Sequence, residues 1–305
     1  MSWFFIAILA YFFGAIANIL DKFLLGSKRI SSPIVYAFYV GLFGLGAFIF
    51  APFGFSIVYG YILGLCLFSG ALFLGGIVLV YFAIQKAQAG RVVPVIGAMI
   101  PLTTFILTAL FGIEIISIKS ILAIFFLIGG GLLISFDLPL KIGKKKFFSG
   151  FFFAILSGIV LAISYTIFKY ISLHENFITW YVWTRVGSVI GALFFLAIPK
   201  WRKIIWKSFS TVKKNRRQAA STAGIFFSNK VVGGISTILF SFALGKGSVT
   251  LVNALVSLQY VFVLVFVWIL SRKNHHIFQE KLLFWDWVQK ISAIIIIGVG
   301  IALIS

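Results

Sequence analysis

The hydrophobic positions of this chain neither alternate as in a strand nor recur every three to four residues as on a surface helix. They form unbroken blocks, parted by short polar and mostly basic stretches. A helix needs about 20 apolar residues to cross the ~30 Å hydrocarbon of a bilayer. In lipid, a long apolar block satisfies its own backbone groups only as a helix. Ten blocks have that length, at about 3–20, 32–52, 57–82, 92–112, 119–136, 148–168, 177–198, 222–244, 248–270 and 288–304. The pattern predicts an all-α membrane protein with ten transmembrane helices.

The second five blocks repeat the first five. An offset of 147 pairs Ala7-Ile8-Leu9 with Ala154-Ile155-Leu156, Lys22 with Lys169, Gly44 with Gly191 and Pro52 with Pro199. Further on, Phe82-Ala83-Ile84-Gln85-Lys86 meets Phe242-Ala243-Leu244-Gly245-Lys246 at offset 160, and Gly130 meets Gly300 at offset 170. Offsets that drift only at loops are the mark of a duplicated unit. The division is 1–136 for the first repeat, 137–147 for a basic connecting loop and 148–305 for the second repeat. Because each unit has an odd number of spans, the second enters the membrane from the opposite face, so the two repeats are inverted.

Composition agrees with the pattern: 62% of residues are hydrophobic, 18% aromatic and 10% charged, with a mean hydropathy of +1.14. The net charge of +20 comes from 26 basic against 6 acidic residues, and its distribution tells what it is for. Loops after odd-numbered spans hold Lys22, Lys28, Arg29, Lys86, Arg91, Lys141, Lys144, Lys145, Lys146, Arg272, Lys273, Lys281, Lys290 and the cations of 200–217. Loops after even-numbered spans, with their helix ends, hold only Lys119, Lys169 and Lys246. By the positive-inside rule the basic loops are cytoplasmic and both termini lie outside. The charge is a topology signal and does not point to nucleic acid. The expected location is a prokaryotic plasma membrane.

A few local features refine this. The single cysteine, Cys66, rules out an intrachain disulfide. The first block lacks a basic n-region and a small-residue cleavage site, so it is expected to be retained as a span. Pro94 and Pro101 lie within the fourth span and each removes a helical hydrogen bond, which makes that helix the expected place for a bend. The loop 200–217 mixes basic residues with Trp201, Ile204, Ile205, Trp206 and Phe209, as does a helix lying among anionic headgroups.

These residues resemble the EamA branch of the drug/metabolite transporter superfamily, ten-helix carriers built from two inverted five-helix repeats. The likeness rests on Lys22 and Lys169 closing the first helix of each repeat, and on Tyr81-Phe82-Ala83-Ile84 and Phe242-Ala243-Leu244 closing the third. Pro101 midway along the fourth helix and Gly112-Ile113-Glu114 at its end complete it. Two departures stand out. The second repeat has Leu258-Gln259 where the first has Pro101-Leu102, which predicts a less bent ninth span, and the charge bias reverses the family's usual cytoplasmic termini. The resemblance implies a secondary transporter, an exporter or exchanger, of a small organic metabolite.

No arrangement of residues suggests an enzyme, a metal site or a bound cofactor. The polar residues at depth carry the interest. Arg185 and Lys230 lie about eight residues inside the seventh and eighth spans, where a charge costs at least ~2.5 kcal/mol and faces a cavity or a partner. No acidic residue is expected at that depth, so either protein dipoles solvate the two cations or an anionic or zwitterionic substrate meets them. Asn18, Tyr165, Asn253, Gln259 and Trp183 are the other expected substrate contacts. Asp21, Lys22, Lys169, Glu114 and Pro101 are expected at gates or coupling positions. The alternatives are a flippase for a lipid-linked intermediate and a membrane scaffold that transports nothing.

Overall fold

A computed structural model describes residues 2–26, 32–86, 89–135, 150–214, 216–271 and 284–304. The loop 137–147, His275, His276 and the side chain of Lys22 lie outside the described residues. The described chain is helical: α1 (Ser2–Gly26), α2 (Pro33–Phe43), α3 (Gly60–Lys86), α4 (Ala89–Leu110), α5 (Ile118–Ser135), α6 (Phe151–Ser172), α7 (Phe177–Phe194), α8 (Pro199–Lys214), α9 (Arg216–Lys246), α10 (Val249–Ala254), α11 (Val256–Ser271) and α12 (Phe284–Ile304). Among the described residues, eight stretches are long and apolar enough to cross a membrane, and Val95–Leu110 and Ile118–Ile134 are shorter apolar helices. This is a multi-pass integral membrane protein of the all-α class.

Local chemistry sets several boundaries. Pro33 opens α2, where its missing N–H costs nothing, and the chain then tightens into a 3-10 segment, Gly44–Phe53. Gly54 ends that segment at φ +115, a conformation that favours glycine. The carbonyl of the Asn176 side chain accepts from the Thr179 N–H and starts α7.

The helices pair between the two halves of the sequence. α1 runs antiparallel along α9, with Trp3 beside Gly247, Tyr11 beside Phe240 and Ala17 beside Gly233. α6 runs antiparallel along α3, with Phe153 beside Phe82, Leu161 against Gly76 and the Ser164 hydroxyl donating to the Ser69 carbonyl at 2.9 Å. α5 and α12 form a third such pair, in which Gly130 meets Ile297 and Gly300 meets Leu127. The tightest crossing is α3 on α7. A methyl group added at Gly70 would lie 1.9 Å from the Thr184 carbonyl oxygen, and one at Gly187 would lie 2.3 Å from that of Leu67. Lipid supplies no hydrophobic drive between helices, so small residues that let backbones touch take over that role.

The ninth span corrects an expectation. With Leu258-Gln259 in place of Pro101-Leu102 it is expected to be less bent than the fourth span, whose helix α4 runs unbroken through Pro94 and Pro101. The ninth is instead divided at Leu255 into α10 and α11. There the Leu258 N–H donates to the Leu255 carbonyl at 2.9 Å, a tight turn that ends one helix and starts the next. Contacts outside the helix hold the short piece: Thr250 meets Thr108 of α4 at 3.3 Å, and Glu114 holds its first turn. The break falls in a segment that contains no proline, with these contacts on its N-terminal side.

Candidate functional site

Two polar clasps lie at opposite ends of the α1–α9 pair, and a third group sits between them. At the end marked by Trp3, Lys169 of α6 is buried, with 8% of its surface exposed. Its ammonium donates to the carbonyls of Gly247 at 2.7 Å and of Leu244 and Gly245 at 3.3 Å each. Three donors meet the free carbonyls at the C-terminus of α9, where a cation is also favoured by the helix dipole. Across the same break, the Glu114 carboxylate accepts from the Ser248 hydroxyl and the Val249 N–H, both at 2.7 Å. One cation thus closes the end of α9 and one anion the start of α10. A cavity of 360 Å³ opens beside them, lined by Glu114, Ser120, Lys169, Lys246 and Ser248 among others.

At the other end the structure corrects the reading of Lys230. No acidic partner is expected for it, yet its ammonium lies 3.5 Å from Asp21 of α1. The Tyr36 hydroxyl and the Asn229 amide also donate to the same Asp21 oxygen. The Lys230 ammonium further sits over the rings of Tyr36 and Phe226, at 4.6 and 5.2 Å. The register of α1 on α9 explains the miss. It brings the last polar residue of the first span level with a residue two turns inside the eighth, so Lys230 lies near an end of the span and not at its middle.

Arg185 is the contrasting group. It lies on α7 at the Gly70–Gly187 crossing and is 8% exposed. Its Cζ lies 4.9 Å from the ring of Phe73 and 4.9 Å from that of Tyr181. Its Nε and Nη2 are buried with no hydrogen-bond partner. From Phe73 a row of rings leads across the interior: Tyr165 at 6.2 Å, then Phe240 at 5.1 Å, then Tyr11 at 5.9 Å. The Tyr11 hydroxyl donates to the Val252 carbonyl at 2.7 Å, next to Asn253, whose Nδ2 is also buried without a partner. Arg185, Tyr165 and Asn253 therefore border one aromatic interior.

The remaining expected residues lie elsewhere. Asn18 is exposed on α1, Gln259 packs against Gly14 of α1, and Pro101 is buried within α4. Trp183, in the first half of α7, is partly buried: its indole N–H donates to the Ser56 carbonyl at 3.2 Å and its ring lies 5.6 Å from Phe55. Phe73, Tyr36 and Ser248 were not legible as site residues. Among 37 phenylalanines no pattern marks one out. Among the described residues no group of three or more His, Cys, Asp or Glu side chains is placed to hold a metal ion. The 360 Å³ cavity and a much smaller one between α4, α5 and α11 are lined by neither Arg185 nor Lys230.

No family model matches the chain, and no curated protein matches it. Among solved structures 21 chains match. One, a crystal structure of a protein, superposes on 100% of this chain and 96% of its own with a TM-score of 0.66 at 13% identity. At that identity the likeness is one of fold.

Proposed function

We propose that this protein is a secondary transporter of small organic anions. It works by alternating access between two inverted five-helix repeats, as the resemblance to EamA carriers implies, and α4 and α5 complete a set of ten spans. The observation that carries the reading is Arg185: a guanidinium against two aromatic rings, with two buried nitrogens lacking acceptors. An unpaired cation in a low-dielectric interior is costly, and an anionic substrate supplies the missing partner. The helix pairing supports the repeat. Moving Ala17 by 147 and Gly233 back by 160, the offsets found in the sequence, leads to Ser164 and Phe73, and Phe73 packs on Tyr165 one residue along.

In this reading the two clasps are gates. Lys169 and Glu114 hold one end, while Asp21, Tyr36 and Lys230 hold the other. Lys230 thus moves from substrate contact to gate, and Asp21 remains the candidate for coupling. The protein performs no covalent chemistry and needs no cofactor. Anionic lipid headgroups are its other expected partner, at α8. That helix packs Ile205 and Trp201 inward, Trp201 meeting Phe195 at 5.2 Å, and exposes Lys200, Arg202, Lys203, Lys207 and Trp206. The basic loops are assigned to the cytoplasm of a prokaryotic plasma membrane, and a reporter fused to the C-terminus tests this by its activity outside the cell.

The test of function is solute counterflow in proteoliposomes, with panels of anionic, neutral and cationic metabolites. Anions are expected to exchange, and Arg185→Gln is expected to abolish that exchange. Transport of neutral or cationic solutes that survives Arg185→Gln would remove the proposal.

A further inference from the structure

The two unpartnered atoms of Arg185 are Nε and Nη2, not any two of its three nitrogens. These two share one edge of the guanidinium. Their N–H bonds run parallel in the plane of the group, with the spacing of the two oxygens of a carboxylate, so together they form the side-on fork of a bidentate pair. We infer that Arg185 selects a planar monocarboxylate with an apolar body, in preference to a phosphate monoester, a zwitterion or an amine. The inference rests on the proposal that Arg185 is the charge contact of the substrate, and it names the class of that substrate.

Three observations narrow the class. The first is charge. Lys230 is committed to Asp21, and Lys169 to three carbonyls. Arg185 therefore offers a single positive charge, which one carboxylate neutralises, while a phosphate dianion carries its second charge into an apolar interior without a counterion.

The second is shape. The rings of Phe73 and Tyr181 lie 4.9 Å from Cζ, and the two unpartnered nitrogens share one edge of the guanidinium. A flat carboxylate meets the N–H groups of that edge with both oxygens in one plane, whereas a tetrahedral phosphate extends further oxygens out of that plane. The third is the treatment of an ammonium group. Glu114 is held by Ser248 and Val249, and Asp21 by Tyr36, Asn229 and Lys230. Both carboxylates are engaged in the clasps at the two ends of the α1–α9 pair, and Arg185 itself is surrounded by rings. The row Phe73, Tyr165 and Phe240 offers the rest of the substrate an apolar wall.

The test uses the full chain, purified and titrated with four solutes that share a short alkyl body: butyrate, propyl phosphate, 2-aminobutyrate and butylamine. Binding is read from thermal stabilisation, since a ligand that binds only the folded state raises apparent stability. The carboxylates are extended from butyrate to octanoate, so that a short body does not limit the response. Carboxylates are expected to bind at least about tenfold more tightly than the other three, the scale of one charge-assisted contact. Arg185→Lys keeps the charge and loses the fork, and is expected to lower carboxylate affinity about tenfold with an unchanged melting profile. Propyl phosphate or 2-aminobutyrate binding as tightly as butyrate, or full carboxylate affinity in Arg185→Lys, overturns the inference while leaving an anion site in place. Butylamine as the sole binder, or no response along the carboxylate series, removes the anion site as well.

Discussion

Arg185 and Lys230 carry the same charge at similar distances along their spans, yet their surroundings are opposite. Lys230 sits within a closed polar group, where Asp21 balances its charge and Tyr36 and Asn229 satisfy the same carboxylate oxygen. Arg185 is as well buried but meets rings instead of acids, and two of its nitrogens bond to nothing. A neutralised cation holds helices together; an unneutralised one costs stability and is retained for what it binds. In the proposed transporter, this contrast makes Lys230 a structural and gating residue and Arg185 the contact for a ligand.

The largest effect is expected from breaking the neutralised pair. Asp21→Ala leaves the Lys230 ammonium buried without a counter-charge, which costs about 3 kcal/mol, and chemical unfolding in mild detergent measures it. Adding Lys230→Met is expected to recover most of that loss. A double variant as unstable as Asp21→Ala alone would mean that the pair is not what stabilises that end.

Next comes Arg185→Gln, which sharpens the comparison because its two readouts separate. Substrate affinity is expected to fall by roughly 1.5–3 kcal/mol, the worth of hydrogen bonds to a charged group, while the melting temperature holds or rises. A melting temperature that falls as far as that of Asp21→Ala would show Arg185 to be partnered within the protein, and the contrast would collapse.

Smaller effects are expected at the end near Trp3. Lys169→Met removes three bonds to the α9 carbonyls and a cation at its C-terminus, worth about 1–2 kcal/mol in the same unfolding measurement. Trp183→Phe is the control for an aromatic that faces away from Arg185. It loses one bond to the Ser56 carbonyl, about 0.5–1 kcal/mol, and counterflow is expected to be unaffected. Slower exchange at undiminished stability would return Trp183 to the substrate path.

Parts of this site were legible in the sequence and parts were not, for reasons that differ by residue. That Trp183 and Arg185 lie on different faces of α7 was available, since residues two apart on an α-helix face nearly opposite ways. The Asp21–Lys230 pair was not available. Its members lie 209 residues apart, and which acid falls level with which lysine depends on the register of α1 on α9. Of the 29 glycines in the sequence, nothing marks out Gly70 and Gly187, where an added methyl group would come closest to another helix's backbone. Gly46, Gly75, Gly129, Gly234 and Gly298 have nothing within 4 Å of an added methyl group, while their near neighbours Gly44, Gly76, Gly130 and Gly300 pack closely.

The sequence by itself determined that this chain lives in a bilayer as helices, because apolar blocks of spanning length have no other way to satisfy their backbone there. It also located the few charges whose burial demands an explanation. Only the tertiary structure decided which of those charges is already answered. Neutralisation acts over a few ångströms between residues from distant parts of the chain, and composition and spacing do not carry the helix register that brings them together.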